Sequence, residues 1–214
     1  MWYNKNMLIE RLCKITFIAH GATIYSEENR FSNQEDYPPL NEAGEEEIER
    51  ICTFLKKRAV KNDKIYSSAG SRALESAEII AKIYKNDVEI IEDLKPRLCG
   101  DWNNLTLQQV IKRQPEKLEK LLTKTDERIC ENSECLDEFV ERIGKTINEI
   151  IEKNLGNRII IVTYPDVIQA AIVFALNLPT NKLFHFYIKT GSATQISYYT
   201  KFNSLKYSGY VPLY

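Results

Sequence analysis

Two periods of apolar residues alternate along this chain. The segment from Lys14 to His20 (Lys-Ile-Thr-Phe-Ile-Ala-His) is β-branched and aromatic and runs straight into Gly21, which predicts a buried strand ending in a turn. Residues 21–41 are polar, carry Pro38 and Pro39, and predict a long loop. From Glu42 onward Ile48, Ile51, Cys52, Leu55 and Ala59 fall at helical spacing, with Glu45, Glu46 and Glu47 on the positive end of the helix dipole. Asp63 to Ser67 predicts a short strand, and Ser71 opens a helix with Ala73, Ala77, Ile80, Ala81 and Tyr84 on one face.

Val88 to Ile91 predicts a third strand, followed by an irregular stretch through Pro96 and Gly100 and a weaker helical pattern over 105–124. Leu136, Phe139, Val140, Ile143, Ile147, Ile150 and Ile151 mark the longest amphipathic helix. Arg158 to Thr163 has the nearly continuous β-branched run of a strand buried on both faces, Asp166 to Leu176 returns as a helix, and the alternating tail from Phe184, which includes His185, predicts closing strands. The order of these elements predicts one domain over 1–214, a three-layer α/β/α fold whose mostly parallel sheet carries helices on both faces. Ligands in such folds sit beyond the carboxyl ends of the strands, here the residues after Ile18, Tyr66, Ile91 and Val162.

Charge and cysteine usage narrow the function classes. A net charge of -1 supplies no global field for nucleic acid or an anionic membrane, so neither is expected as a partner. Met1 to Leu12 is interrupted by Lys5, Glu10 and Arg11, unlike a signal peptide, and no stretch nears the ~20 apolar residues of a membrane span. The 5 cysteines lack a Cys-x-x-Cys pair and predict reduced thiols in a cytoplasmic protein. With 2 histidines in all, His20 and His185, a histidine-rich metal site is not expected, and neither is a cofactor. A homodimer is compatible with the sequence, which does not fix the oligomeric state.

The predicted strand ends carry a series of motifs. Phe17-Ile18-Ala19-His20-Gly21-Ala22-Thr23 closes the first strand; Arg30-Phe31 and Leu40-Asn41-Glu42-Ala43-Gly44 follow. The second strand runs into Ile65-Tyr66-Ser67-Ser68, with Arg72-Ala73 and Ser76-Ala77 on the next helix. Gly100-Asp101-Trp102, Ser133-Glu134-Cys135 and Ile159 to Thr163 complete the set. In this order they resemble the histidine phosphatase superfamily, the phosphoglycerate-mutase-like fold, through most of the chain. The Tyr-Ser-Ser segment with its following arginine is the most specific.

That resemblance implies a mechanism and a set of losses. In the family, a histidine at the first strand end attacks phosphorus, two arginines and a second histidine hold the phosphoryl oxygens, and a carboxylate at the third strand end protonates the leaving oxygen. His20 stands at the nucleophile position and Arg72 at one arginine position, whereas Ala19 replaces the other arginine, Tyr164 the second histidine and Pro96 the acid. Arg97, Glu92, Asp93 and Asp101 are the candidates for a displaced acid. Arg30, Gly21 and Thr23 join Arg72 as candidate ligand-binding residues, Trp102 reads as packing, and Tyr164 either fills the vacated space or orients a ligand through its phenol.

Selective loss of catalytic groups within a kept scaffold points first to a protein that binds a small anionic metabolite, either without catalysis or with chemistry other than phosphoryl transfer. An atypical phosphomonoesterase working through a phosphohistidine at His20 is the second reading, and a protein-interaction module the third.

Overall fold

A computed structural model describes residues 9–31 and 38–213. A single sheet of six strands organises it, in the order β3-β2-β4-β1-β5-β6. The strands are β1 (Arg11–Ala19), β2 (Lys64–Ser68), β3 (Val88–Ile91), β4 (Arg158–Thr163), β5 (Ala193–Tyr199) and β6 (Asn203–Tyr210). The first four are mutually parallel, while β5 runs antiparallel to β1 and β6 antiparallel to β5. The sheet is therefore mixed, with its parallel part where the βα alternation predicts it.

Helices cover both faces, and the period-2 alternation of the strands decides which residues meet which layer. Ile15, Phe17, Ile159 and Ile161 pack with Phe139, Ile143, Ile147, Ile168 and Ile172 of α6 (Leu136–Lys153) and α7 (Pro165–Ala175). Ile18, Ile65, Ile160 and Val162 face the other way, onto Ile48, Ile51, Leu55, Ala77 and Ile80 of α2 (Glu42–Lys57) and α3 (Ser71–Tyr84). A smaller cluster around Trp102, with Val110, Leu121 and Leu136, packs the region between the third and fourth strands. Trp102 is fully buried and its indole N–H donates to Gln114 Oε1 at 2.9 Å, in keeping with a packing role.

Several boundaries differ from the sequence pattern. The polar loop after His20 holds a short helix, α1 (Ile24–Glu27), because Thr23 and Ser26 form a capping box; residues 32–37 of that loop lie outside the described residues, as do residues 1–8 of the opening segment. The pattern over 105–124 splits into α4 (Leu107–Arg113) and α5 (Pro115–Thr123), since Pro115 cannot continue a helix and instead opens the next one. Pro165 likewise starts α7 one residue earlier than the periodicity suggests. His185 ends a 3₁₀ turn (Thr180–His185) and is exposed, so the closing strands begin only at Ala193. All five cysteines are unpaired, and among the described residues no helix is long and apolar enough to cross a membrane.

The turn after β1 is pressed against the start of α2. A Cβ on Gly21 would come within 2.3 Å of the Gly44 carbonyl oxygen, and one on Gly44 within 2.2 Å of the Ala22 oxygen. Both positions need glycine for backbone contact. Gly44→Ala must therefore move the His20 turn off α2, and we expect a loss of roughly 1–3 kcal/mol in urea unfolding, as for other overpacked sites. An unchanged midpoint would show that the contact relaxes at no cost.

Candidate functional site

The carboxyl ends of β1, β2 and β4 lie level because their register pairs Ala19 with Thr163 and Ser67 with Val162. His20 extends the ladder by one residue: its N–H donates to the Thr163 carbonyl at 2.9 Å, and its own carbonyl accepts from Gly191 N–H at 3.0 Å. Held by the backbone on both sides, the imidazole is 4% exposed.

His20 Nδ1 lies 2.7 Å from the Gly21 carbonyl oxygen. A carbonyl only accepts, so in the neutral ring Nδ1 carries the hydrogen and Nε2 presents a lone pair. Burial, aided by the nearby Arg72 charge, pushes the His20 pKa down to about 3, against the opposing pull of the Gly21 hydrogen bond. The ring is neutral at physiological pH and has the tautomer a nucleophilic imidazole requires.

Arg72 and Tyr164 complete a stack beside it. Tyr164, the N-cap residue of α7, meets the His20 ring at 5.3 Å in an edge arrangement, and the Arg72 guanidinium carbon lies 4.7 Å from the centre of the Tyr164 ring. Both side chains are almost fully buried, a setting in which such a cation–π contact is worth about 2 kcal/mol. Ser76, one turn along α3, links the parts, its hydroxyl accepting from Gly21 N–H at 3.1 Å and donating to the Arg72 carbonyl at 2.7 Å.

These groups open onto a cleft of about 480 Å³ lined by His20, Thr23, Arg30, Glu47, Arg72 and Lys189 among others. Gly21 does not line it; its carbonyl and N–H instead position His20 and bind Ser76. Thr23 reaches the cleft, but its side chain caps α1. Arg30 also reaches the cleft, with its guanidinium engaged by Glu28 and by the Asn104 carbonyl, the latter at 2.6 Å.

Ala19 is fully buried in the core and brings no charge. Pro96 is buried where the acid is expected. The segment around it is held by Arg142, which donates to the Asp93 and Lys95 carbonyls at 2.7 and 3.2 Å and pairs with Glu134 at 2.8 Å. None of Glu92, Asp93, Arg97 and Asp101 lines the cleft. Arg97 turns its side chain to the Glu134 carbonyl at 3.0 Å and its N–H to Asp166 Oδ2 at 3.0 Å.

Two carboxylates reach the cleft, Glu27, which is exposed, and Glu47, which is buried. Glu47 Oε2 accepts from Ala22 N–H at 3.0 Å and its Oε1 lies 3.9 Å from Lys189 Nζ, with the residue 8% exposed. A signal was present, since Glu47 falls on the stripe formed with Gly44, Ile48, Ile51 and Leu55, a place a solvated glutamate avoids. Lys189 had no such signal, because the antiparallel return of β5 against β1 brings its loop to the site.

The family model described as "Histidine phosphatase superfamily (branch 1)" matches residues 15–209. The chain is 33% identical over 159 residues to phosphoglycerate mutase-like protein 4 of Arabidopsis thaliana, covering 73% of this chain and 68% of that one. Identity to the adenosylcobalamin/alpha-ribazole phosphatase of Escherichia coli is 23%, covering 90% and 94%. The chain also matches three mycobacterial proteins at 25% identity, spanning half of their length. In fold it is similar to a mycobacterial glucosyl-3-phosphoglycerate phosphatase solved with VO3, at a TM-score of 0.83, 20% identity and coverage of 94% and 100%.

The depressed His20 pKa has a consequence for stability. Between pH 6.5, the ordinary value, and about 3, the unfolded chain protonates this imidazole while the folded protein does not. The unfolded state then binds more protons, so this group's effect is to lower stability as pH falls below 6.5, by at most about 1.4 kcal/mol per pH unit. Denaturant unfolding of wild type and His20→Gln should converge as pH falls from 6.5 toward about 3, and parallel curves across that span would refute a neutral buried His20.

Proposed function

Because the chain belongs to the histidine phosphatase superfamily, we propose that its strand-end cleft binds a small phosphorylated metabolite, with the phosphoryl group between His20 Nε2 and Arg72, and that it turns such esters over slowly. The stack of Arg72 on Tyr164 beside a neutral His20 carries this reading. It offers one buried cation and one nucleophilic nitrogen, with a phenol where the resemblance calls for a second histidine. The relatives named as alpha-ribazole and glucosyl-3-phosphoglycerate phosphatases support a small phosphorylated ligand. The unpaired cysteines fit a cytoplasmic setting, and the family match along most of the chain supports a single domain.

The chemistry of transfer explains the expected slowness. In-line attack forms the N–P bond at His20 Nε2 as the ester P–O bond breaks, and water later cleaves the phosphohistidine. Ala19 offers nothing to the charge on the phosphoryl oxygens, and a missing donor of that kind costs about 10² to 10³ in rate. Pro96 has no proton for the leaving alkoxide, which costs a further ~10² to 10⁴ where the leaving group is basic.

Thermal stabilisation by phosphoserine or inorganic phosphate should be present in wild type and lost in Arg72→Ala. Release of p-nitrophenol from p-nitrophenyl phosphate should be weak, absent in His20→Ala and raised in Tyr164→His. Rapid His20-dependent hydrolysis of a metabolite, at rates like those of intact relatives, would sink the slow-turnover reading.

Glu47 favours a second reading, a working phosphomonoesterase with a relocated acid, because it is the buried carboxylate that lines the cleft beside His20 and Arg72. On this reading Glu47→Gln slows esters with alkyl leaving groups by about 10² or more and leaves p-nitrophenyl phosphate unaffected, since a nitrophenolate departs without a proton. Equal effects on both substrates would assign Glu47 to binding alone.

A further inference from the structure

The opposite end of the sheet holds a second cleft, larger than the first at about 670 Å³. Six cations line it: Arg11 and Lys14 from β1, Arg58 and Lys61 after α2, Arg158 from β4 and Lys206 from β6. Among the described residues no Asp or Glu lines it and none of the six makes an ion pair. The nearby Asp63 does not line it, and its carboxylate accepts the Arg158 backbone N–H at 2.7 Å. In a chain of net charge -1 this is a marked concentration of one sign.

Three features suit the cleft to a ligand. Its floor is polar and buried: Thr16 and Gln195 are 3% and 6% exposed, and Gln195 Nε2 donates to Thr16 Oγ1 at 3.0 Å. Lys14 is partly desolvated and close to Lys206, Arg11 and Arg158, which together lower its pKa and leave a need for negative charge. One wall is aromatic, with Phe54 lying 6.4 Å from Tyr207 and 5.1 Å from Tyr210, ring centre to ring centre, and Tyr210 is 39% exposed. The carboxyl end of α2 also points here, but its roughly half-unit of negative charge is small beside six full cations.

From this combination we propose that the cleft is a second ligand site, for a nucleoside polyphosphate, with phosphates on Lys14, Arg58, Arg158 and Lys206 and the base against Tyr210 and Phe54. Cations hold phosphates as point charges or forks, and aromatic rings stack on a base with little sequence demand. Lys14 and His20 stand six positions apart on one extended segment, so the two sites lie about 20 Å apart. The proposal is independent of the phosphatase reading.

The test is calorimetric titration at low salt of His20→Ala/Arg72→Ala protein, which removes phosphate binding at the first site, with ATP, tripolyphosphate and adenosine. ATP should bind at least 10-fold more tightly than either fragment, weaken steeply with added salt, and lose at least 10-fold in affinity on Arg58→Ala/Lys206→Ala. Both of those side chains are exposed, so the fold should hold. Tyr210→Ala should remove the advantage of ATP over tripolyphosphate. In the otherwise wild-type chain, Arg58→Ala/Lys206→Ala should leave His20-dependent turnover unchanged. No ATP binding at millimolar ligand, equal binding of tripolyphosphate, or ATP binding that survives the double substitution would each overturn the proposal.

Discussion

The 2.7 Å contact between His20 Nδ1 and the Gly21 carbonyl sets the chemical state of the cleft, and it depends on a backbone path that few sequences allow. The turn must leave β1, place a carbonyl over the ring it has just passed, and press Gly21 against Gly44 without any Cβ between them. Ser76 then takes the Gly21 N–H, so α3 and its Arg72 are registered on the same turn. Burial completes the effect by holding the imidazole neutral. Imidazole, cation and turn thus form one mechanical unit, and the glycines at 21 and 44 serve that unit through backbone contact.

The residues around this unit are held by contacts that do not use catalytic charges. The position of the missing acid is held by interactions that do not involve an acid: Arg142 gathers the carbonyls of Asp93 and Lys95, and Ser68 ties the Leu94 carbonyl to Thr163. Tyr164 likewise fills its place by packing between Arg72 and His20. Neither set of contacts requires a charge at position 96 or 164.

The two ends of the sheet differ in a way that follows from topology. At the carboxyl ends, loops and helix starts converge and present His20 and Arg72. At the other end, Lys14 of β1, Arg158 of β4 and, across the intervening β5, Lys206 of β6 line one cleft. A net charge near zero conceals this separation.

The sequence by itself determined the layered α/β fold and nearly every element of it, because apolar period and strand length are local properties that burial on one or both faces imposes directly. It also placed His20 and Tyr164 at strand ends and Arg72 at the start of the helix after the second strand, with Ala19 and Pro96 where the resemblance calls for an arginine and an acid. Only the tertiary structure decided that Arg30 is engaged by the Asn104 carbonyl and that Glu47 and Lys189 share a cleft with His20. It alone gathered six cations from four separate segments into one cleft. Those outcomes depend on which residues distant in the chain become neighbours, and strand order and crossover direction fix that, while periodicity carries no record of it.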